Sequence, residues 1–119
     1  MNYILICDDV TDNCILLQFF LEMEGYNAEF VTSGVEAVNK VRIHKPDLLL
    51  LDVMMPEISG LEVLQCIRED KDLQNLPVLL ITAYKELVET DLTNTQANGI
   101  IKKPVDPDLL IEKVQAVFN

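Results

Sequence analysis

The chain has 119 residues, half of them hydrophobic and 24% charged, and its 20 acidic against 9 basic side chains leave a formal charge of −11. That composition is globular rather than disordered and fits one domain over residues 1–119. The acidic balance argues against direct nucleic-acid binding, which needs Lys/Arg clusters, and against an anionic membrane surface; it suits a cation, a basic partner or plain solubility. No apolar run approaches the roughly 20 residues of a membrane-spanning helix, and Met1-Asn2-Tyr3 carries none of the marks of an export signal. The cysteines Cys7, Cys14 and Cys66 lack metal-ligand spacing, and His44, the single histidine, cannot complete a Cys/His zinc site. The expectation is a cytoplasmic protein whose thiols stay reduced and act as small buried hydrophobes.

Tyr3–Cys7 reads as a first strand. Thr11–Met23 has helical character, with Thr11 or Asp12 as its cap and Gly25 to close it. Ala28–Val31 is a second strand. Ser33–His44 places Val35, Val38 and Val41 at helical spacing, and Ser33 with Glu36 forms a capping-box pattern. Leu48–Leu51 is a third strand, Gly60–Glu69 a helix with Leu61, Leu64 and Ile67 on one face, and Val78–Ile81 a fourth strand. A more polar helix is predicted over Glu86–Thr95; its Thr and Asn content gives weak helix propensity. Ile100-Ile101 marks a fifth strand, and Pro107–Phe118 a last helix with proline at its tolerant first turn. The runs at Leu48 and Val78 are continuously apolar, as in strands covered on both faces of a parallel sheet. Five strands alternating with five helices predict an α/β doubly wound sheet. Two strand orders fit the pattern. In either, ligands bind beyond the carboxyl ends of the strands.

Those ends carry Asp8 and Asp9 after the first strand, Asp52 after the third, Thr82-Ala83 after the fourth, and Lys102, Lys103 and Pro104 after the fifth. Taken singly, each is ordinary turn chemistry; together they bring three carboxylates, a hydroxyl and one or two amines to one rim. Carboxylates so gathered repel one another unless a hard cation joins them, and Mg²⁺ suits an all-oxygen site with several waters. A metal beside a carboxylate and an ammonium can receive a phosphoryl group, with Asp as the nucleophile.

Asp8-Asp9, the stretch Asp52-Val53-Met54-Met55-Pro56 with Gly60 after it, Thr82-Ala83 and Lys103-Pro104 resemble the receiver domain of two-component response regulators, over Tyr3 to Phe118. The resemblance implies a flavodoxin-like (βα)5 fold with strand order 2-1-3-4-5. It implies Asp52 as phosphoacceptor, with a sensor histidine kinase or histidine phosphotransfer protein as donor. Asp9, Asp52 and the backbone carbonyl of Met54 would ligate Mg²⁺, with Asp8 acting through a metal-bound water. Thr82 would bond a phosphoryl oxygen, and Lys103 would pair with Asp52 or the phosphoryl group while Lys102 stays solvated. The family's Lys-Pro peptide is usually cis, which would aim Lys103 inward. The only enzymatic activity implied is turnover of the domain's own aspartyl phosphate, with Met54 and Tyr84 flanking the attacking water. The signal would pass to a downstream target or output domain through the predicted fourth helix, the fifth strand and the last helix.

One departure is Ile100, where the family often carries an aromatic switch residue; coupling then runs through backbone and packing or through Tyr84. The first helix is apolar nearly all round (Cys14, Ile15, Leu16, Leu17, Phe19, Phe20, Leu21). It is either deeply packed or carries a patch for a kinase or a second copy. The rival functions are a Mg²⁺-dependent phosphatase with an aspartyl nucleophile and a receiver-like scaffold that is never phosphorylated. The first wants an Asp-x-Asp pattern that contiguous Asp8-Asp9 does not supply. The second usually lacks a member of the acidic set. A flavin-binding flavodoxin-like protein fits less well, since the Ser/Thr/Gly-rich phosphate loop is missing.

Overall fold

The computed structural model describes residues 2–83 and 96–119. Parallel strands β1 (Tyr3–Cys7), β2 (Asn27–Val31), β3 (Leu48–Asp52), β4 (Val78–Thr82) and β5 (Gly99–Lys102) form one sheet in the order β2-β1-β3-β4-β5. Helices α1 (Thr11–Met23), α2 (Gly34–Ile43), α3 (Gly60–Glu69) and α4 (Pro107–Phe118) complete the described elements. The helix predicted over 86–95, and Tyr84 with it, lie outside the described residues. No helix among the described residues is long and apolar enough to cross a membrane.

Alternation along the strands divides the core in two. Leu5, Cys7, Leu49, Leu51, Leu80 and Ile100 face α2 and α3. Ile4, Ile6, Leu48, Leu50, Ile81 and Ile101 face α1 and α4. Every residue of β3 and β4 is buried, the reason these strands read as unbroken apolar runs. Ile100 is 8% exposed and belongs to the α2–α3 side of the core.

Helix α1 resolves the ambiguity of its sequence. Cys14, Leu17 and Leu21 are buried, while Ile15, Leu16, Phe19 and Met23 are each more than half exposed. At 3.6 residues per turn the second set spans about 100° of arc on the side opposite the first. The helix carries two opposed apolar stripes, and only one of them is packed.

Three local expectations are corrected. Neither Thr11 nor Asp12 caps α1: Val10 holds the cap position without a side-chain bond, and the Asp8 carboxylate accepts the Val10 N–H at 2.9 Å instead. Ser33 does cap α2, but Glu36 accepts from the Thr32 N–H rather than closing a box; the reciprocal box forms at Ser59 and Glu62, at the start of α3. Cys7 and Cys14 are buried, but Cys66 is only half-buried, since its place on α3 turns it toward the helix flank. Gly25, with φ of +90°, ends the turn after α1 in the left-handed region that suits glycine.

Candidate functional site

Chain reversals at the carboxyl end of the sheet build the site. Asp8 follows β1 directly, donates its N–H to the Val31 carbonyl at 3.3 Å, and is 1% exposed. Asp9 beside it is exposed. Asp52 is the last residue of β3 and 2% exposed.

The β3–α3 connection fixes Asp52 tightly. Val53 N–H donates to the Ile81 carbonyl at 3.0 Å, and Gly60 N–H returns to the Val53 carbonyl at 2.9 Å. A Cβ on Gly60 would run into the Asp52 carbonyl oxygen, a backbone atom that cannot swing aside. Glycine is therefore required where α3 starts against the end of β3. Between them Glu57 takes φ of +68° while Ile58 N–H reaches the Pro56 carbonyl at 2.8 Å. This is a tight γ-turn in a region that L-residues seldom occupy.

Thr82 ends β4, fully buried, and its carbonyl accepts the Lys103 N–H at 2.9 Å. The Lys103–Pro104 peptide is cis. Lys102 is exposed, whereas the Lys103 ammonium lies 3.3 Å from Asp8 Oδ2 and 3.3 Å from Asp52 Oδ1. Carboxylate oxygens of Asp8, Asp9 and Asp52 all lie within 4.8 Å of one another. Met54 follows two residues after Asp52 and is 58% exposed.

The electrostatics follow from this crowding. Burial raises the Asp52 carboxyl from its usual 3.8 to about 6; the Asp8 charge adds to the rise, Lys103 opposes it, and Asp9 adds a little more. Burial also works against the Lys103 charge, but Asp52 and Asp8 outweigh it and hold the ammonium above its usual value. One cation thus serves two carboxylates, with a third at hand. An all-oxygen, acid-rich donor set with, among the described residues, one ammonium for three carboxylates is chemistry that fits Mg²⁺. The neighbouring thiols are no nucleophiles: burial pushes Cys7 up to about 12 and Cys14 up to about 11.

One participant escaped the sequence. Asn13, in the first turn of α1, places Nδ2 3.4 Å from Asp8 Oδ2. Its signal was positional: a side chain in the first turn after an acidic strand end can reach back to that end.

The response regulator receiver domain family matches residues 4–115 of the chain. The polar-differentiation response regulator DivK of Brucella ovis is 32% identical over 117 residues, covering 98% of this chain and 95% of DivK. Chemotaxis response regulator CheY4 of Vibrio cholerae superposes with a TM-score of 0.90 at 26% identity, covering 98% of both chains. A CheY-like receiver domain protein from Methanospirillum hungatei gives 0.88 at 29% identity, over 98% of this chain and 92% of its own. With the fold, the strand order and these similarities in agreement, the chain belongs to the response regulator receiver domain family, the signalling modules of two-component systems.

Proposed function

We propose that residues 1–119 form one receiver domain that takes a phosphoryl group from a phosphohistidine onto a carboxylate oxygen of Asp52, breaking an N–P bond and forming an O–P bond. One observation carries the reading: a buried carboxylate, flanked by two more within 4.8 Å, has, among the described residues, a single ammonium to share with Asp8. Asp9, Asp52 and the Met54 carbonyl would hold Mg²⁺ directly, and Asp8 through water; the ion would neutralise charge on the phosphoryl oxygens. Lys103 pairs with the transferred group, and the Thr82 hydroxyl bonds one of its oxygens. The incoming group adds about −1.5 to −2 charges at this point. Thr82 moving toward it shifts the end of β4 and, with it, the surface of β5, α4 and the 84–95 stretch that a target or output domain reads. Loss of the phosphoryl group to water resets the domain, at a rate assigned to positions 54 and 84. The reading carries a cytoplasmic location, where the phosphohistidine donor resides.

The outward stripe of α1 is the surface assigned to that donor, because Leu16 lies beside Asp8 and Lys103 in a cavity of about 200 Å³ at the edge of the site. Phe19→Lys should leave the fold intact and slow transfer from a cognate kinase about tenfold or more, as loss of an interface anchor does. Unchanged transfer kinetics would contradict the assignment, and a concentration-dependent change in mass would favour a second copy as occupant.

Incubation with acetyl phosphate and Mg²⁺, followed by intact-mass measurement, tests the phosphoacceptor. One phosphoryl group should be gained, and none in Asp52→Asn or with EDTA. No uptake by a protein that binds Mg²⁺ would favour the scaffold, and sustained turnover of a simple aryl phosphate would favour the phosphatase.

A further inference from the structure

We infer that Asn13 is a positioning residue for the acidic site: its amide keeps the Asp8 carboxylate aimed when Lys103 turns away to Asp52 and its phosphoryl group. The inference rests on the phosphoacceptor reading above.

Asp8 is almost wholly buried, so each of its oxygens needs a donor. Oδ1 accepts the Val10 N–H at 2.9 Å. Oδ2 accepts from Asn13 Nδ2 at 3.4 Å and from Lys103 Nζ at 3.3 Å. Lys103 is divided, since the same ammonium lies 3.3 Å from Asp52 Oδ1. A phosphoryl group on Asp52 brings more charge and strong acceptor oxygens, and draws the ammonium toward it. Asp8 Oδ2 then keeps Asn13 as its side-chain donor. The 3.4 Å separation is long for an amide–carboxylate bond, as suits a donor sharing one oxygen with an ammonium.

The scaffold makes this hold firm. The Val10 carbonyl accepts the Asn13 N–H at 3.0 Å and the Cys14 N–H at 3.2 Å, while the Cys14 thiol donates to the Asp8 carbonyl at 3.2 Å. Asp8, Val10 and Asn13 therefore form a closed circuit: carboxylate to Val10 N–H, Val10 carbonyl to Asn13 N–H, Asn13 amide back to carboxylate. The first turn of α1 and the acidic strand end are one unit. A neutral donor also suits the place, since a cation at position 13 would compete with the metal for Asp8.

The test is Mg²⁺ affinity, read by NMR titration of backbone amides in wild type, Asn13→Ala and Asn13→Gln, each with Lys103 and with Lys103→Met. The Met variant keeps the aliphatic stem while removing the ammonium. Asn13→Ala should weaken Mg²⁺ binding about threefold with Lys103 present and about tenfold with Lys103→Met. Gln should recover part of the loss, and thermal melts should be unchanged by Asn13→Ala. An equal loss in both backgrounds, or none in either, overturns the inference while leaving the phosphoacceptor reading standing. Absence of Mg²⁺ binding in wild type overturns that reading, and this inference with it.

Discussion

The two ends of the sheet use polar groups in opposite ways. At the amino ends of the strands polar groups are tied into hydrogen bonds. The Tyr3 N–H donates to Asp47 at 2.7 Å, the Tyr3 hydroxyl to Glu29 at 2.8 Å, and its ring stacks on His44 with centroids 4.7 Å apart. Arg68 donates to the carbonyls of Leu76, Gln74 and Gln96 and to the Asn98 side chain, which itself accepts the Val78 N–H at 2.8 Å. That end ties α3, β4 and β5 together. At the carboxyl ends, three carboxylates lie close together, two of them share the Lys103 ammonium, and a γ-turn and a crowded glycine fix Asp52 there. One end is arranged for stability; the other concentrates negative charge that too few cations offset among the described residues.

Substitutions can break or sharpen this contrast. Gly60→Ala forces a Cβ against the Asp52 backbone and should cost about 2–3 kcal/mol in urea unfolding, as overpacking does. Gly99→Ala meets only the Leu79 side-chain end and should cost less than about 1 kcal/mol, because that contact can give way. Equal costs would remove the claim that the site end is the tightly built one. Arg68→Ala strands part-buried carbonyls and should cost about 2 kcal/mol, yet leave phosphoryl uptake from acetyl phosphate unchanged. Glu57→Gly should stabilise by about 0.5–1 kcal/mol, through relief of a positive-φ residue beside the site. A loss of stability there would argue against stored backbone strain.

Much of this was legible in the sequence because it depended on local patterns. The unbroken runs at Leu48 and Val78 announced strands buried on both faces, and all four described helices lie where periodicity put them. The strand-end rule brings Asp8, Asp9, Asp52, Thr82 and Lys103 to one rim, and the motif resolves the strand order that periodicity leaves open. What escaped depended on partners far along the chain or on backbone shape. Arg68 reaches groups up to 30 residues away, which no spacing announces. Gly60 read as a motif letter, and only the approach of the Asp52 carbonyl explains it. The start of α1 departs from its local pattern because the Asp8 carboxylate, outside the helix, accepts the Val10 N–H and Val10 takes the cap position in place of Thr11 or Asp12.

The central claim is that Asp52 is ionised at a cost which the site retains for chemistry. Its folded-state value near 6 lies above the usual 3.8. Its contribution to stability is therefore full below about pH 4 and lost as pH rises through 6. Urea unfolding of wild type and Asp52→Asn in EDTA, from pH 4 to 8, tests this directly. The account predicts similar stability near pH 4, Asp52→Asn more stable by about 1–3 kcal/mol above pH 7, and a narrower gap when Mg²⁺ replaces EDTA. Asp52→Asn equal to or less stable than wild type at pH 7 in EDTA would contradict it.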